Sequence, residues 1–291
     1  MDSTDLLKRV RKIEIKSRGL SNQIFSGEYH SAFKGSGMAF SEVREYMPGD
    51  EIRKIDWNVT ARFGKPFIKV FEEEREMTVM LLVDISGSED FGSKTFLKRE
   101  VATELSAVLA FSAIQNNDKI GVILFSDHVE KFISPKKGKS HILRIIRELI
   151  SFEPKSEKTK VSEALRFLTN AIKKKSTVFV ISDFFDDGFT DALKIANNKH
   201  DVVALELFDK RENDMSNIGL VPFEDAETHE VRWVDTSDPQ TRTAFKAAAL
   251  KREHELKSIF RKSGVDHAQI DVEHTYVRPL MNLFKQRERR R

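Results

Sequence analysis

Cysteine is absent from the chain, which removes disulfides, thiolate metal sites and thiol nucleophiles at once. No apolar run approaches the ~18 residues that a membrane span requires. No apolar segment of signal-peptide type follows the opening Met1-Asp2-Ser3-Thr4-Asp5, so no secretory leader is expected. The expected compartment is the cytoplasm. An excess of one charge is also lacking. Lys and Arg number 49 against 46 Asp and Glu, a formal net charge of +3, so the overall balance does not point to a nucleic-acid partner. Of the 291 residues, 40% are hydrophobic and 33% charged. That composition belongs to a folded protein with a sizeable core and a heavily charged surface, built as one large domain or two small ones. No internal repeat and no low-complexity linker interrupts it.

The hydrophobic pattern changes twice along the chain. Residues 5–15 carry Leu6, Val10 and Ile13 at helical spacing among Lys8, Arg9, Arg11, Lys12 and Lys16, which predicts a basic surface helix docked by one stripe. Its alternative role is contact with an anionic membrane or nucleic acid. From Gly19 to Glu76, glycines at 27, 35, 37, 49 and 64 and prolines at 48 and 66 punctuate short aromatic and charged runs. This predicts short strands and turns, with Pro48-Gly49-Asp50 a turn and Pro66 to Phe71 a strand.

From Met77 onward, apolar runs at 78–83, 119–125, 177–182 and 202–207 read as strands buried on both faces. Helical patterns at 96–115, 140–152, 162–174 and 191–199 alternate with them, and 129–133 reads as a short hairpin partner. The alternation predicts a parallel sheet covered by helices on both sides, a three-layer α/β/α domain. After Asp209 the chain turns polar. Expected there are a strand at 231–234, a long helix from Pro239 to Ser263 stopped by Gly264, a last strand at 265–272, a last helix at 279–290 and a frayed basic tail, Arg287 to Arg291.

Ligands of open parallel sheets bind beyond the carboxyl ends of the strands. The first buried strand ends in Asp84-Ile85-Ser86-Gly87-Ser88 and the third in Ser182-Asp183. One carboxylate and two hydroxyls at alternating positions can converge where the chain turns, and all are the hard oxygen ligands that Mg²⁺ prefers. Adjacent strands would bring Asp183 beside Asp84, and two packed carboxylates repel unless a cation lies between them. Thr159, in a polar loop, offers one more hydroxyl. Asp84, Ser86 and Ser88 also suit a plain cap of the following loop and helix.

The set resembles the metal-ion-dependent adhesion site of the von Willebrand A family, which runs Asp-x-Ser-x-Ser, then a distant Thr, then a distant Asp after a buried strand. The resemblance implies a von Willebrand A-like (Rossmann-like) fold and Mg²⁺ or Mn²⁺ held by Asp84, Ser86, Ser88, Thr159 and Asp183. Ser86, Ser88 and Thr159 would then approach the ion closely, with Asp84 and Asp183 acting mainly through water and one position left open for a partner's carboxylate. Two departures stand out: Phe184 follows Asp183 where the family often has glycine, and Glu157-Lys158 precede Thr159 in place of a glycine-rich loop.

The block Gly35 to Arg44, Glu45-Tyr46-Met47-Pro48-Gly49-Asp50, Arg53-Lys54-Ile55-Asp56-Trp57 and Ala61-Arg62 is similar to the signature of a bacterial family of unknown function, DUF58, with a von Willebrand A-like core. The resemblance covers roughly 27–207. It implies a MoxR-type AAA+ ATPase as partner, in chaperone-like maturation or assembly of client proteins. For the residues Arg44, Asp50, Arg53, Asp56, Trp57 and Arg62 two readings stand. One is an ion-pair network pinning N-terminal strands to the core around a buried Trp57; the other is a partner-binding surface. The expected division is a small β-rich elaboration over 1–76 packed on the core, the von Willebrand A-like domain over 77–275 and a basic helix or tail over 276–291.

Other motifs fail on a specific residue. Gly138-Lys139-Ser140 ends like a phosphate loop, but its first glycine position holds Ile133. A phosphatase of the haloacid-dehalogenase type needs a second aspartate where Ser86 stands. His229-Glu230 and His254-Glu255 lack the second histidine of a zinc protease, and His128, His200 and His267 are isolated. The leading function is a non-catalytic, metal-dependent protein-binding module. A metal-assisted hydrolase using Asp84 and Asp183 is the alternative, with Asp127, Asp186 and Asp187 as the only nearby bases. Basic termini on nucleic acid or anionic lipid form a third possibility, though no nucleic-acid partner is expected.

Overall fold

The computed structural model describes residues 3–25, 37–74, 77–90, 97–224 and 229–290. Gly27, Gly35, Phe96 and Arg291, on which the sequence reading also drew, lie outside the described residues. The chain forms two compact units, residues 33–77 and the remainder.

The larger unit is built on a six-stranded sheet. Its strands are β3 (Thr78–Asp84), β4 (Lys119–Phe125), β5 (Val129–Lys136), β6 (Thr177–Ser182), β7 (Asp201–Phe208) and β10 (Asp266–Asp271), in the order β10-β7-β6-β3-β4-β5. Every pair is parallel except β4 with β5. β3, β4, β6 and β7 are buried along nearly their whole length, as their unbroken apolar sequences require once helices cover both faces.

One helical layer contains α1 (Ser3–Phe25), α3 (Lys98–Gln115), α4 (Lys139–Ser151) and α8 (Val277–Arg289); the other contains α5 (Val161–Ala171), α6 (Thr190–Lys199) and α7 (Pro239–Ser263). α3 is apolar nearly all round because it is buried nearly all round. α7 starts on Asp238, whose carboxylate accepts the Gln240 and Thr241 N–H groups, with Pro239 in its first turn, and stops on Gly264 at φ 65°. The arrangement is the three-layer α/β/α sandwich of a von Willebrand A-like domain.

Three expectations are corrected. α1 belongs to the larger unit, where it packs on α3, α4 and α8, with ion pairs from Lys16 to Glu104 and from Lys139 to Glu14 (2.6 Å each); residues 1–76 are therefore not one block. The basic tail is not frayed at Arg287. α8 buries Leu280, Leu283 and Phe284, and the buried Arg287 guanidinium is held by Asp201 and Asp266. The expected strand β9 (Val231–Asp235) pairs with an unexpected one, β8 (Leu220–Glu224), in an exposed hairpin before α7, and β8 has no buried side chain to announce it.

The smaller unit pairs β1 (Gly37–Glu45) with β2 (Phe67–Glu74) and adds a helix absent from the sequence reading, α2 (Trp57–Phe63). Asp56 caps it through the Asn58 and Val59 N–H groups, and Gly64 ends it at φ 67°. Arg44 grips Asp50 with two bonds of 2.8 and 2.7 Å, and the Met47 N–H adds a third. The guanidinium and that N–H hold the Asp50 carboxyl below its ordinary pKa. Trp57 is not the buried centre of a network: it is 67% exposed, and Arg53 and Arg62 are exposed as well.

His200 closes α6 with its backbone N–H on Ala196 and is 1% exposed, with neither ring nitrogen hydrogen-bonded. Burial first, then the Lys199 charge, pushes its pKa down to about 4. The unfolded chain takes up this proton near pH 6.5 and the folded chain resists it, so stability is lost as pH falls from about 6.5 toward 4. Replacing His200 with leucine should remove up to roughly 3 kcal/mol of that acid sensitivity. Urea unfolding of both proteins at pH 7.5 and 4.5 checks it; parallel pH profiles would refute it.

Candidate metal centre

The sheet order reverses between β3 and β6. From β3 the chain proceeds outward to β4 and β5, then returns to place β6 on the other side of β3. The carboxyl ends of β3 and β6 therefore flank the crevice where doubly wound sheets bind ligands. Asp84 is the last residue of β3, and Asp183 follows the last residue of β6.

Both aspartates are buried, at 0% and 3% exposure. Asp84 Oδ1 accepts the Ser86 N–H (3.0 Å), and Oδ2 accepts the Ser182 hydroxyl (2.6 Å). That hydroxyl in turn accepts the Phe184 N–H (2.9 Å), while Asp183 Oδ1 accepts the Phe185 N–H (3.1 Å). Ser86 and Ser88 bring their hydroxyl oxygens within 3.2 Å of each other. Thr159 is buried in a loop tied down at both ends: Gly87 N–H donates to Glu157 O (2.8 Å), and Lys160 N–H donates to Ser126 O (2.9 Å).

Three further residues of the site were not anticipated. Glu89, in the short 3₁₀ turn Gly87–Asp90, is completely buried. One of its carboxylate oxygens accepts the Asp183 N–H (3.1 Å), and Asp84, Glu89 and Asp183 each place an oxygen within 4.8 Å of the other two. Lys98, the first residue of α3, is also completely buried; its ammonium donates to Asp183 Oδ2 (2.9 Å) and to Glu212 beyond β7. Behind this pair, the Arg252 guanidinium of α7 stacks on the Phe185 ring at 3.2 Å from its centroid.

The electrostatics follow from burial. Desolvation and the Asp183 charge push the Asp84 pKa up against the pull of the Ser182 and Ser86 hydrogen bonds. Desolvation, Asp183 and Asp84 push the Glu89 pKa well above its ordinary value. Burial alone would lower the Lys98 pKa, but Asp183, Glu212 and Glu89 together raise it. Three carboxyl groups thus crowd one ammonium in a buried crevice.

Two buried oxygens there lack any hydrogen-bond partner, Glu89 Oε2 and Thr159 Oγ1. An unsatisfied buried acceptor is costly, and a divalent cation is the species that oxygen atoms of this kind suit. The residues present therefore fit a hard dication. Among the described residues, no other group of acidic or histidine side chains clusters in this way.

Phe184, where glycine is usual, adopts φ 55°. A side chain costs roughly 1–2 kcal/mol in that left-handed region. The ring is buried against Phe189 and Phe260, at centroid distances of 5.8 and 5.1 Å, which offsets the strain. Two candidate catalytic bases have structural engagements: Asp186 accepts the Val161 N–H at the start of α5 (2.8 Å), and Asp127 pairs with His128 (2.7 Å). Arg44, Asp50, Arg53, Asp56, Trp57 and Arg62 belong to the smaller unit.

The model of a family described as "Protein of unknown function DUF58" matches residues 42–255. The uncharacterized protein Rv1480 of Mycobacterium tuberculosis is 24% identical over 292 aligned residues, covering 99% of this chain and 92% of its own. The uncharacterized protein YeaD of Bacillus subtilis is 30% identical over 132 residues, 45% of this chain and 29% of its own. Among solved structures, an aerotolerance-related membrane protein from Bacteroides fragilis superposes with a TM-score of 0.50 at 16% identity, covering 74% of this chain and 100% of that one. That likeness concerns the fold. No helix among the described residues is long and apolar enough to cross a membrane.

Proposed function

The chain belongs to the DUF58 family, and on that premise we propose that it is a non-catalytic protein-binding module controlled by a divalent cation at the carboxyl ends of β3 and β6. The observation that carries this reading is the buried triad Asp84, Glu89 and Asp183, with an unpartnered carboxylate oxygen at the switch point of the sheet. Oxygen donors alone favour Mg²⁺, or Mn²⁺, over softer metals. The triad, together with Ser86, Ser88 and Thr159, would hold the ion, which supplies the positive charge that fixes the loops after β3 and β6 in one conformation. The family resemblance supports a MoxR-type AAA+ ATPase as partner, in cytoplasmic, chaperone-like assembly of a client protein. A hydrolase using Asp84 and Asp183 is the weaker reading, because Asp186 and Asp127 are already engaged in capping and pairing.

The test is capture of the MoxR-type ATPase from the same organism by the immobilised chain, in Mg²⁺ and in EDTA, with wild type and Asp84→Ala. Capture that requires Mg²⁺ and drops at least about tenfold in the variant, a loss of ~1.4 kcal/mol, is the expected result. Capture indifferent to both would move the interface elsewhere, first to the smaller unit, where Ile52, Trp57 and Phe63 are each more than half exposed. No capture in any condition would remove the partner.

A further inference from the structure

We infer that Glu89 is an internal ligand that completes the metal site from within the chain, so that the partner is bound by the ordered loops and contributes no carboxylate to the ion. This rests on the metal-dependent reading above and fixes how the partner engages.

Three observations carry it. Glu89 is completely buried, yet one of its oxygens has no hydrogen-bond partner, while its carboxylate lies within reach of both Asp84 and Asp183. The Asp183 N–H fixes the other oxygen at 3.1 Å. The carboxylate is thus held in place by the backbone that carries another candidate ligand. A ligand held in this way needs little reorganisation on metal binding.

The second observation is charge. An ion held only by hydroxyls and water-separated carboxylates stays electrophilic and recruits an anion from outside. Ionised by a bound cation, Asp84, Glu89 and Asp183 supply three negative charges beside the Lys98 ammonium. A dication brings that set to neutrality, and Glu212, sharing the same ammonium, is offset by the Arg252 guanidinium. A fifth carboxylate, from a partner, would meet no net attraction.

The third is access. Asp84, Ser86, Glu89, Thr159 and Asp183 are all buried, and of the candidate ligands among the described residues Ser88 alone is partly exposed. Five of the six candidate ligands are thus shielded, which leaves a partner's side chain little room to approach the ion.

The test is Mn²⁺ binding to the full chain, read as free Mn²⁺ by electron paramagnetic resonance, with and without added acetate. Acetate stands in for a carboxylate from outside. Wild type is expected to bind Mn²⁺ with an affinity that acetate leaves unchanged. Glu89→Ala is expected to lose at least about tenfold, the loss that removal even of a residue behind the ligands can bring, and to regain part of it in acetate. Glu89→Gln, which keeps the side-chain shape and can still accept the Asp183 N–H, should be weakened without acetate rescue. Tighter binding by wild type in acetate, or wild-type affinity in Glu89→Ala, overturns the inference and leaves the metal-dependent reading standing. Failure of wild type to bind Mn²⁺ overturns both.

Discussion

Lys98→Met should destabilise the metal-free protein by about 3–5 kcal/mol, the cost of leaving a buried charge without its partner. The ammonium is the donor that Asp183 and Glu212 share, and the side chains of Lys98 and Asp183 are fully shielded from water. Methionine keeps the aliphatic stem and most of its packing at the start of α3 but leaves the carboxylates facing one another. Urea unfolding in EDTA at pH 8 reads the loss directly. Saturating Mg²⁺ should then restore more stability to the variant than it adds to wild type, because the dication no longer approaches a fixed ammonium. Equal stability of the two proteins in EDTA would mean that the carboxylates relax by protonation or rearrangement, and the ammonium would lose its structural importance.

Asp84→Asn should act in opposite directions with and without metal. Burial and Asp183 hold the Asp84 pKa above its ordinary value, while the unfolded chain ionises this group near its ordinary value. The associated stability is therefore present at low pH and lost as pH rises through the raised folded pKa. At neutral pH the charge burdens the fold. Asparagine removes it while retaining an oxygen for the Ser86 N–H, so the metal-free variant should be more stable than wild type by about 1–2 kcal/mol. Added Mg²⁺ should stabilise wild type by about 2.7 kcal/mol at a hundredfold excess over its Kd, and the variant far less. A variant less stable than wild type in EDTA would assign Asp84 to the architecture of the loop. An undiminished response to Mg²⁺ would remove it from the metal site.

These two substitutions mark the line between what the residues announced and what they concealed. The four central strands were legible because each is an apolar run with polar breaks on either side, and the fold class followed from their alternation with helices. Asp84 and Asp183 were legible because strand ends are where such sheets place chemistry. α2 was missed because Trp57 and Phe63 point largely to solvent, so the helix has no buried stripe. Its signal was local, an aspartate cap at Asp56 and a glycine stop at Gly64. β8 escaped for a related reason: an exposed hairpin has no reason to alternate apolar and polar residues.

In the site itself, Glu89 stood next to Ser88 and was passed over because an acid in a loop is usually solvated. Lys98 and Glu212 are 114 residues apart, and nothing local distinguishes a buried lysine from the many that cover a surface. Only the folded sheet brings that pair together beneath Asp183. The N-terminal block was over-read in a different way. Its dense charges suggest one network, whereas Arg44 clasps Asp50, Asp56 caps α2 and pairs with Lys69, and Arg53, Trp57 and Arg62 are exposed.

Phe184 joins two roles at one residue. Its left-handed backbone shapes the turn that positions Asp183, and its ring is wedged between aromatic groups from the loop before α6 and from α7. The geometry of the carboxylates and the seating of that helical layer are therefore mechanically one piece. A sequence drifting in that aromatic cluster would retune the carboxylate cluster without touching it, and a change among the carboxylates would be felt as slack or tension across the far side of the sheet.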